Sequence, residues 1–136
     1  MKRLLVLVLV ASFACTAAPS DPTEVEDAAK RFLDYVHTYD YEAMRAAATG
    51  DFEILIFGLR LDMDGFEDFM QGMEERLEGR ELASYDLVDL NTRIVGDVAY
   101  TSWSSTNWLE SAIFVRSGEQ WLMDRAASVR IPRDER

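Results

Sequence analysis

The C-terminal stretch VAYTSWSSTNWLESAIFVRSGEQWLMDRAASVRI, residues 98–131, decides the fold. Apolar and polar residues alternate along much of it, with the period of two that is typical of strands half-buried against a core. We expect strands over residues 98–108, 111–116 and 120–131, with a hairpin turn at residues 117–119. Strands joined by such tight turns predict an antiparallel meander.

A fourth strand is predicted immediately before this stretch, over residues 82–95. Its apolar residues Val88, Leu90 and Ile94 are expected to share one face, because side chains alternate across a strand. The glycine and aspartate at residues 96–97 provide the turn into the next strand. The meander is therefore expected to contain four strands.

The N-terminal half has helical periodicity instead. A first helix is predicted to begin at Asp21, which suits the N-cap, and Pro22 suits the first helical turn. The apolar residues that recur at helical spacing are Val25, Ala28, Ala29, Phe32 and Val36. The sequence therefore predicts a helix with one buried face.

Two further helices and one strand complete this half. A short helix capped by Asp40 is predicted to run through residue 48 and is closed by residues 49–50. A third helix is predicted to begin with Asp64 as its cap and to stop at Gly79. Between them, residues 51–57 alternate as a strand does, with Phe52, Ile54 and Ile56 on one face. Helices followed by a meander predict an α+β domain, with about three N-terminal helices packed on a mostly antiparallel sheet.

The first residues have the layout of an export signal. Lys2 and Arg3 form a short positive region, residues 4–10 are apolar, and small residues follow around Cys15. The apolar run is too short to span a bilayer, which takes about 20 residues. Cys15 is the only cysteine, so it cannot form an intramolecular disulfide. We expect an exported protein of the periplasm or cell envelope.

Two processing routes stay open. Cys15 is placed as the lipidated cysteine of a bacterial lipoprotein would be, whereas an ordinary signal peptidase could cut after residue 14, 17 or 18. The predicted organisation is a signal peptide at residues 1–14, a tether at 15–22, one domain at 23–132 and a polar tail at 133–136.

The formal net charge of −11 restricts the partners. An acidic surface repels phosphate backbones and anionic lipid headgroups, so nucleic acid is not expected as a partner. Contact with a membrane is expected only through a lipid anchor.

Short segments of the chain resemble the NTF2-like superfamily, particularly its SnoaL-like and DUF4440-like branch. The resemblance is carried by AKRFL at 29–33, DYEAM at 40–44, DGFEDF at 64–69, FVRSGEQWLM at 114–123 and SVRIP at 128–132. It implies a cone-shaped domain in which a curved sheet wraps around the helices, with a pocket at the wide end and a dimer through the outer sheet face. Members include isomerases and dehydratases, so the fold does not define the function.

The resemblance also shows which catalytic groups are missing. The tyrosine of ketosteroid-isomerase-like members matches Phe32, and their late-strand acid would fall near the apolar Ala112 and Ile113. Only Glu53 matches the position of their base, and His37 is the only histidine available for a dehydratase-like pair. We therefore expect no catalytic set, with Glu53 and His37 as the candidates for a base, and no metal or cofactor.

Aromatic residues are the main candidates for a pocket wall. The predicted pocket residues are Phe32, Tyr35, Phe52, Glu53, Phe69, Tyr100, Trp103, Phe114, Trp121 and Arg125, and Trp108 and Asp124 belong to the same group. The sequence favours an exported, non-catalytic domain that binds a small apolar ligand or a protein partner. The alternatives are a lyase or isomerase that uses Glu53 or His37 as its base, and a structural module that forms a homodimer through its sheet.

Overall fold

The structure, a computed structural model, describes residues 20–82, 86–105 and 107–131. The predicted signal peptide, the lipidation site Cys15 and the C-terminal tail lie outside these ranges. Within the described ranges, no helix is both long enough and apolar enough to cross a membrane. The described residues form three helices and six strands, and their α+β arrangement is the one that the sequence predicts.

Each helix begins at an aspartate whose carboxylate accepts a backbone N–H of the first turn. The helices are α1 (Pro22–His37), α2 (Tyr41–Ala46) and α3 (Met63–Arg76). Asp21 and Asp40 cap α1 and α2 as predicted. The cap of α3 is Asp62, which accepts the N–H of Gly65 at 2.9 Å, so the cap lies two residues before the predicted Asp64. These caps satisfy backbone donors that have no partner within the helix.

The strands form one sheet in the order β2-β1-β6-β5-β4-β3. They are β1 (Ala48–Ile56), β2 (Leu59–Asp62), β3 (Val88–Val95), β4 (Val98–Ser104), β5 (Trp108–Ser117) and β6 (Gln120–Arg130). The last four form the predicted antiparallel meander, and β1 joins the meander by pairing in parallel with β6.

Several strand boundaries differ from the prediction. Residues 49–50 lie within β1 instead of closing a helix, and the short edge strand β2 was missed. Strand β3 begins at Val88, whereas the sequence pattern predicts that this strand begins at residue 82. Strand β5 begins at Trp108, which pairs with Arg130 of β6. It therefore starts three residues before the predicted start at residue 111.

Irregularities in strand pairing accompany the curvature of the sheet. Register shifts occur in β1 between Ala48 and Glu53, and between β5 and β6 where Ile113 is followed by Phe114. In β3, Asp89 has a positive φ of 55° beside a third register shift, and the preceding Val88 is exposed. The sequence pattern places Val88 on one face with Leu90 and Ile94, and this prediction is wrong. The bulge reverses the direction of the Val88 side chain, so Val88 points away from the inward face of Leu90 and Ile94.

The core lies between the helices and the concave face of the sheet. Phe52 of β1 is at its centre, with its ring centroid 5.7 Å from that of Phe32 on α1 and 6.1 Å from that of Phe66 on α3. Burial of such large side chains is the main favourable contribution to folding. One strand residue thus connects two helices to the sheet.

Candidate functional site

A cavity of about 190 Å³ lies between α1, α3 and the concave face of the sheet. Its walls are mostly apolar. The helices contribute Phe32, Leu33, Val36, Phe66, Phe69, Met70 and Met73, and the sheet contributes Ile54, Ile56, Trp103, Met123 and Ala126. Phe57, in the turn after β1, and Trp108, at the start of β5, also line it. Such a space favours an apolar occupant.

A carboxylate stands inside this apolar cavity. Glu110 of β5 accepts a hydrogen bond from the Trp103 indole Nε1 at 2.7 Å and another from the Ser128 hydroxyl at 3.2 Å. Strand register explains the arrangement, because Glu110 pairs with Trp103 on one side and with Ser128 on the other. The two donors stabilise a charge that would be costly among apolar side chains.

His37, the last residue of α1, lines the same cavity. Burial lowers the pKa of its imidazole below the usual 6.5, while the negative charges of Asp34 and Glu110 act in the opposite direction. Because burial has the larger effect, the neutral imidazole is favoured near pH 7. The cavity therefore contains a neutral histidine and a carboxylate that interacts with it electrostatically.

The predicted pocket residues separate into three groups. Phe32, Phe69 and Trp103 line the cavity, and His37 and Trp108 do so as well. Phe52 and Phe114 are each 1% exposed and lie in the packed core. The others lie elsewhere on the molecule.

Two of them, Tyr35 and Trp121, line a separate and larger open groove of about 640 Å³. This groove runs along α1, α2 and the β5–β6 turn, and charged residues such as Asp27 and Glu119 lie on it. Trp121 is covered by Arg116, whose guanidinium carbon lies 5.0 Å from the centre of the Trp121 ring.

The remaining predicted residues, Glu53, Tyr100 and Arg125, lie on the convex outer face of the sheet. The Glu53 carboxylate is 4.0 Å from the Arg125 guanidinium and 3.7 Å from that of Arg60, so it forms surface ion pairs. Tyr100 and Arg125 both pair with Ile113 in the strand register. The structure therefore separates Glu53, one of the two predicted candidates for a base, from the cavity.

The outer face is also rich in exposed apolar side chains. These residues are Leu55, Val98, Tyr100, Leu109, Ile113 and Val129, and each is at least 37% exposed. A contiguous apolar patch on a sheet commonly marks a surface for association.

Sequence reasoning missed Glu110, the central polar residue of the cavity. The signal was the alternation of Trp108, Glu110, Ala112 and Phe114 along one strand face. The strand had been predicted to begin at residue 111, after the glutamate. With its start at Trp108, the same alternation places Glu110 on the inward face. Within the part of the chain that the structure describes, no group of three or more His, Cys, Asp or Glu residues is arranged to hold a metal ion.

Solved structures identify the fold. An NTF2-like protein from Cytophaga hutchinsonii has a TM-score of 0.69 and 14% identity, over 82% of this chain and 99% of its own. A proposed dehydratase of the NTF2-like family from Streptomyces avermitilis has a TM-score of 0.67 and 14% identity, over 83% and 97%. The hub homology domain of CaMKII from Chlamydomonas reinhardtii has a TM-score of 0.67 and 12% identity, over 83% and 100%.

The chain therefore has the NTF2-like fold, as its sequence segments imply. No protein-family model matches the chain, and no curated protein sequence matches it. At these identities the shared property is the fold, and the function has to be argued from the site.

The depressed pKa of His37 predicts how stability depends on pH. In the unfolded chain the imidazole has its usual pKa of 6.5, so between that value and its lower folded value the unfolded state binds more protons. The free energy of unfolding should therefore fall as the pH drops below the unfolded-state pKa of 6.5. In His37→Gln this component should be absent. Urea denaturation at each pH measures the free energy of unfolding of both proteins. The carboxylates are present in both, so the difference between the two proteins reports on His37. An equal decrease in the two proteins would contradict the assignment.

Proposed function

We propose that the cavity binds a small, mostly apolar molecule that directs one polar group towards Glu110 and His37. The observation that carries this proposal is the combination of apolar walls and a hydrogen-bonded carboxylate inside the fold. A core selected only for packing has few voids and excludes charges. Ligand sites, in contrast, combine apolar walls with a few polar groups that fix orientation.

The cavity volume limits the size of the ligand. Apolar cavities of about 150 Å³ bind molecules as small as benzene. The volume of about 190 Å³ therefore suits a compact molecule of about ten non-hydrogen atoms. A longer ligand would have to extend out of the cavity into solvent.

The polar groups of the cavity define what the ligand should carry. An ionised Glu110 only accepts hydrogen bonds, and two protein donors already occupy part of its capacity. A ligand hydroxyl or N–H group could donate to the carboxylate or to neutral His37. We therefore expect an uncharged donor on an otherwise apolar ligand, because a ligand anion would be repelled by Glu110.

A cavity-filling variant tests this proposal with 2-naphthol, a compact apolar alcohol, as the probe. Ala126 lines the cavity from β6, and Ala126→Leu adds side-chain volume inside it. We expect the wild-type protein to bind 2-naphthol and the variant to bind it at least about tenfold more weakly, because the space is occupied. Isothermal titration calorimetry measures both affinities.

The matched control is Ala46→Leu, because Ala46 is an exposed residue on α2 and does not line the cavity. This control should bind 2-naphthol as the wild type does. Absence of binding to the wild-type protein, or equal binding by Ala126→Leu, would contradict the proposal.

Acid–base catalysis is the second candidate function, and the pairing of His37 with Glu110 favours it. A neutral imidazole can remove a proton, and the nearby carboxylate stabilises the imidazolium that forms. The reaction class would be a lyase or isomerase that removes a proton next to a carbonyl. His37 is the proposed base, because Glu53 lies on the outer face. The similarity to a proposed dehydratase supports this candidate at the level of the fold.

Elimination of 5-nitrobenzisoxazole tests for a competent base, because the reaction needs only removal of one carbon-bound proton. We expect the wild-type protein to accelerate it at pH 7 and His37→Gln to lose most of that acceleration, about 100-fold for a positioned base. Glu110→Gln should reduce the rate less and should shift the pH profile, because its carboxylate acts through His37. A wild-type rate equal to that of His37→Gln would exclude His37 as the base.

We also propose that the outer face of the sheet forms a homodimer. The exposed apolar residues on this face support the proposal, and so does the similarity to a CaMKII hub domain and to the association domain of CaMKII from Caenorhabditis elegans. The open cavity argues against a purely structural module, since such a module would be expected to fill its core.

Light scattering tests the dimer with a substitution at the centre of the face. Ile113 lies on β5 between Tyr100 and Arg125 in the register, and Ile113→Glu would bury a carboxylate at a dimer interface. We expect a mass near twice the monomer for the wild type and a monomer for the variant. Leu59→Glu is the control, because Leu59 is also exposed but lies on edge strand β2. A monomeric wild-type protein would contradict the proposal.

A further inference from the structure

The turn between β1 and β2 contains a residue that the turn itself disfavours. Ile56 pairs with Leu59, so Phe57 and Gly58 form a two-residue hairpin loop. Their φ angles are 52° and 78°, both in the left-handed region. Turns with two positive φ values favour Asn-Gly or Asp-Gly, and a bulky residue at the first position is an outlier. Gly58 fits this rule, and Phe57 does not.

Two other hairpin turns in the sheet follow ordinary turn chemistry. The β3–β4 turn uses Gly96 with φ of 60°, and the β5–β6 turn uses Gly118 with φ of 61°. In both, the residue with positive φ is glycine, which adopts this conformation without steric cost. Among these three hairpin turns, Phe57 is therefore the one non-glycine residue with positive φ, whereas Asp89 adopts positive φ at the bulge in β3.

The side chain of Phe57 lies at the opening of the cavity. The residue is 60% exposed, yet it lines the cavity, so the cavity wall reaches the surface there. Its ring meets the Trp108 ring edge-on at 5.2 Å and lies tilted at 6.0 Å from the ring of Phe69. These three aromatic residues, from a turn, a strand and a helix, form what we call the aromatic mouth.

The geometry of the turn does not account for a phenylalanine at this position. The backbone at Phe57 is in a costly conformation, and more than half of its apolar side chain remains in water. An asparagine would fit the turn better and would expose no ring. Local strain that is retained at a cavity is a common property of sites that contact a ligand.

We propose that Phe57 is a ligand-contacting residue and that the aromatic mouth selects flat, ring-containing molecules. This inference rests on the proposed ligand-binding function of the cavity. Aromatic pairs prefer offset-stacked or edge-to-face contacts, and a planar ring can make these with Phe57, Phe69 and Trp108. A saturated ring of the same carbon skeleton is thicker and has no π face. One aromatic contact corresponds to roughly a two- to twelvefold difference in affinity.

A pair of probes with one skeleton tests this selectivity. 2-Naphthol is planar, whereas decahydro-2-naphthol is its saturated counterpart and retains the hydroxyl. Isothermal titration calorimetry should show that the wild-type protein binds 2-naphthol at least about fivefold more tightly. Phe57→Asn, which keeps a turn-compatible residue, should lose most of this preference by weakening the binding of 2-naphthol. Phe57→Leu, which keeps apolar bulk without a ring, should lose the preference as well.

Val95→Asn is the matched control, because Val95 is a 73% exposed apolar residue beside the β3–β4 turn and does not line the cavity. It should retain the full preference, and circular dichroism with thermal melting should show that all variants are folded. Equal binding of both probes by the wild-type protein, or a preference that survives in Phe57→Asn, would overturn the inference and leave ligand binding intact. If Phe57→Asn weakened the binding of both probes equally, the Phe57 ring would shield the ligand from water without selecting for flat molecules. That result would also overturn the inference. A wild-type protein that bound neither probe would contradict the proposed function itself, and the inference with it.

Discussion

The parallel pairing of β1 with β6 is the constraint on which the rest of the structure depends. Ile54 pairs with Ala126, which lies 72 residues further along the chain, so closing this contact has an appreciable entropic cost. Burial of the inward side of β1 offsets that cost, with Phe52 1% and Ile54 8% exposed. Because β1 follows α2 and precedes β2 and α3, its attachment to the meander brings the helices over the concave face of the sheet.

The position of the cavity follows from this attachment. Phe52 contacts rings from both α1 and α3 and closes the core at that point. Ile54 and Ile56, further along the same strand face, line the cavity instead. The aromatic side chains that would otherwise complete the packing, Phe57 and Trp108, contact each other at the opening. The strand that organises the fold therefore also leads from the packed core to the cavity wall.

Most of the fold could be predicted from local patterns in the sequence. The aspartate caps at Asp21 and Asp40 and the alternation of the last four strands depend on neighbouring residues, so the sequence shows them directly. Strand β2 could not be predicted in this way, since its turn places a phenylalanine where Asn or Asp is expected. The direction of the Val88 side chain could not be predicted either. A one-residue bulge at Asp89 moves Val88 to the other face of the sheet, and nothing in the composition of the strand indicates it.

The candidate site was less predictable, because it depends on register between strands that are distant in sequence. His37 and four of the predicted aromatic residues line the cavity, but Glu110 was missed because its strand was predicted to begin at residue 111, three residues after its actual start at Trp108. The same kind of register dependence places Tyr100 and Arg125 on the outer face, on neighbouring strands opposite Ile113. Aromatic composition alone indicates that a core exists, and it does not distinguish a packed core from a cavity or an outer surface.

Three features that oppose stability occur together around this cavity. They are an unfilled apolar volume, a carboxylate among apolar side chains, and a bulky residue with positive φ. An unsatisfied buried polar group costs about 1–3 kcal/mol, so Trp103 and Ser128 are needed to keep Glu110 in place. Elsewhere the chain uses stabilising devices such as helix caps and glycine turns, although Tyr39, Glu78 and Asp89 also have positive φ. Sequences usually depart from such rules where function requires it, so the occurrence of an apolar cavity, an enclosed carboxylate and a strained phenylalanine at one place supports the proposed role of the cavity as a binding site.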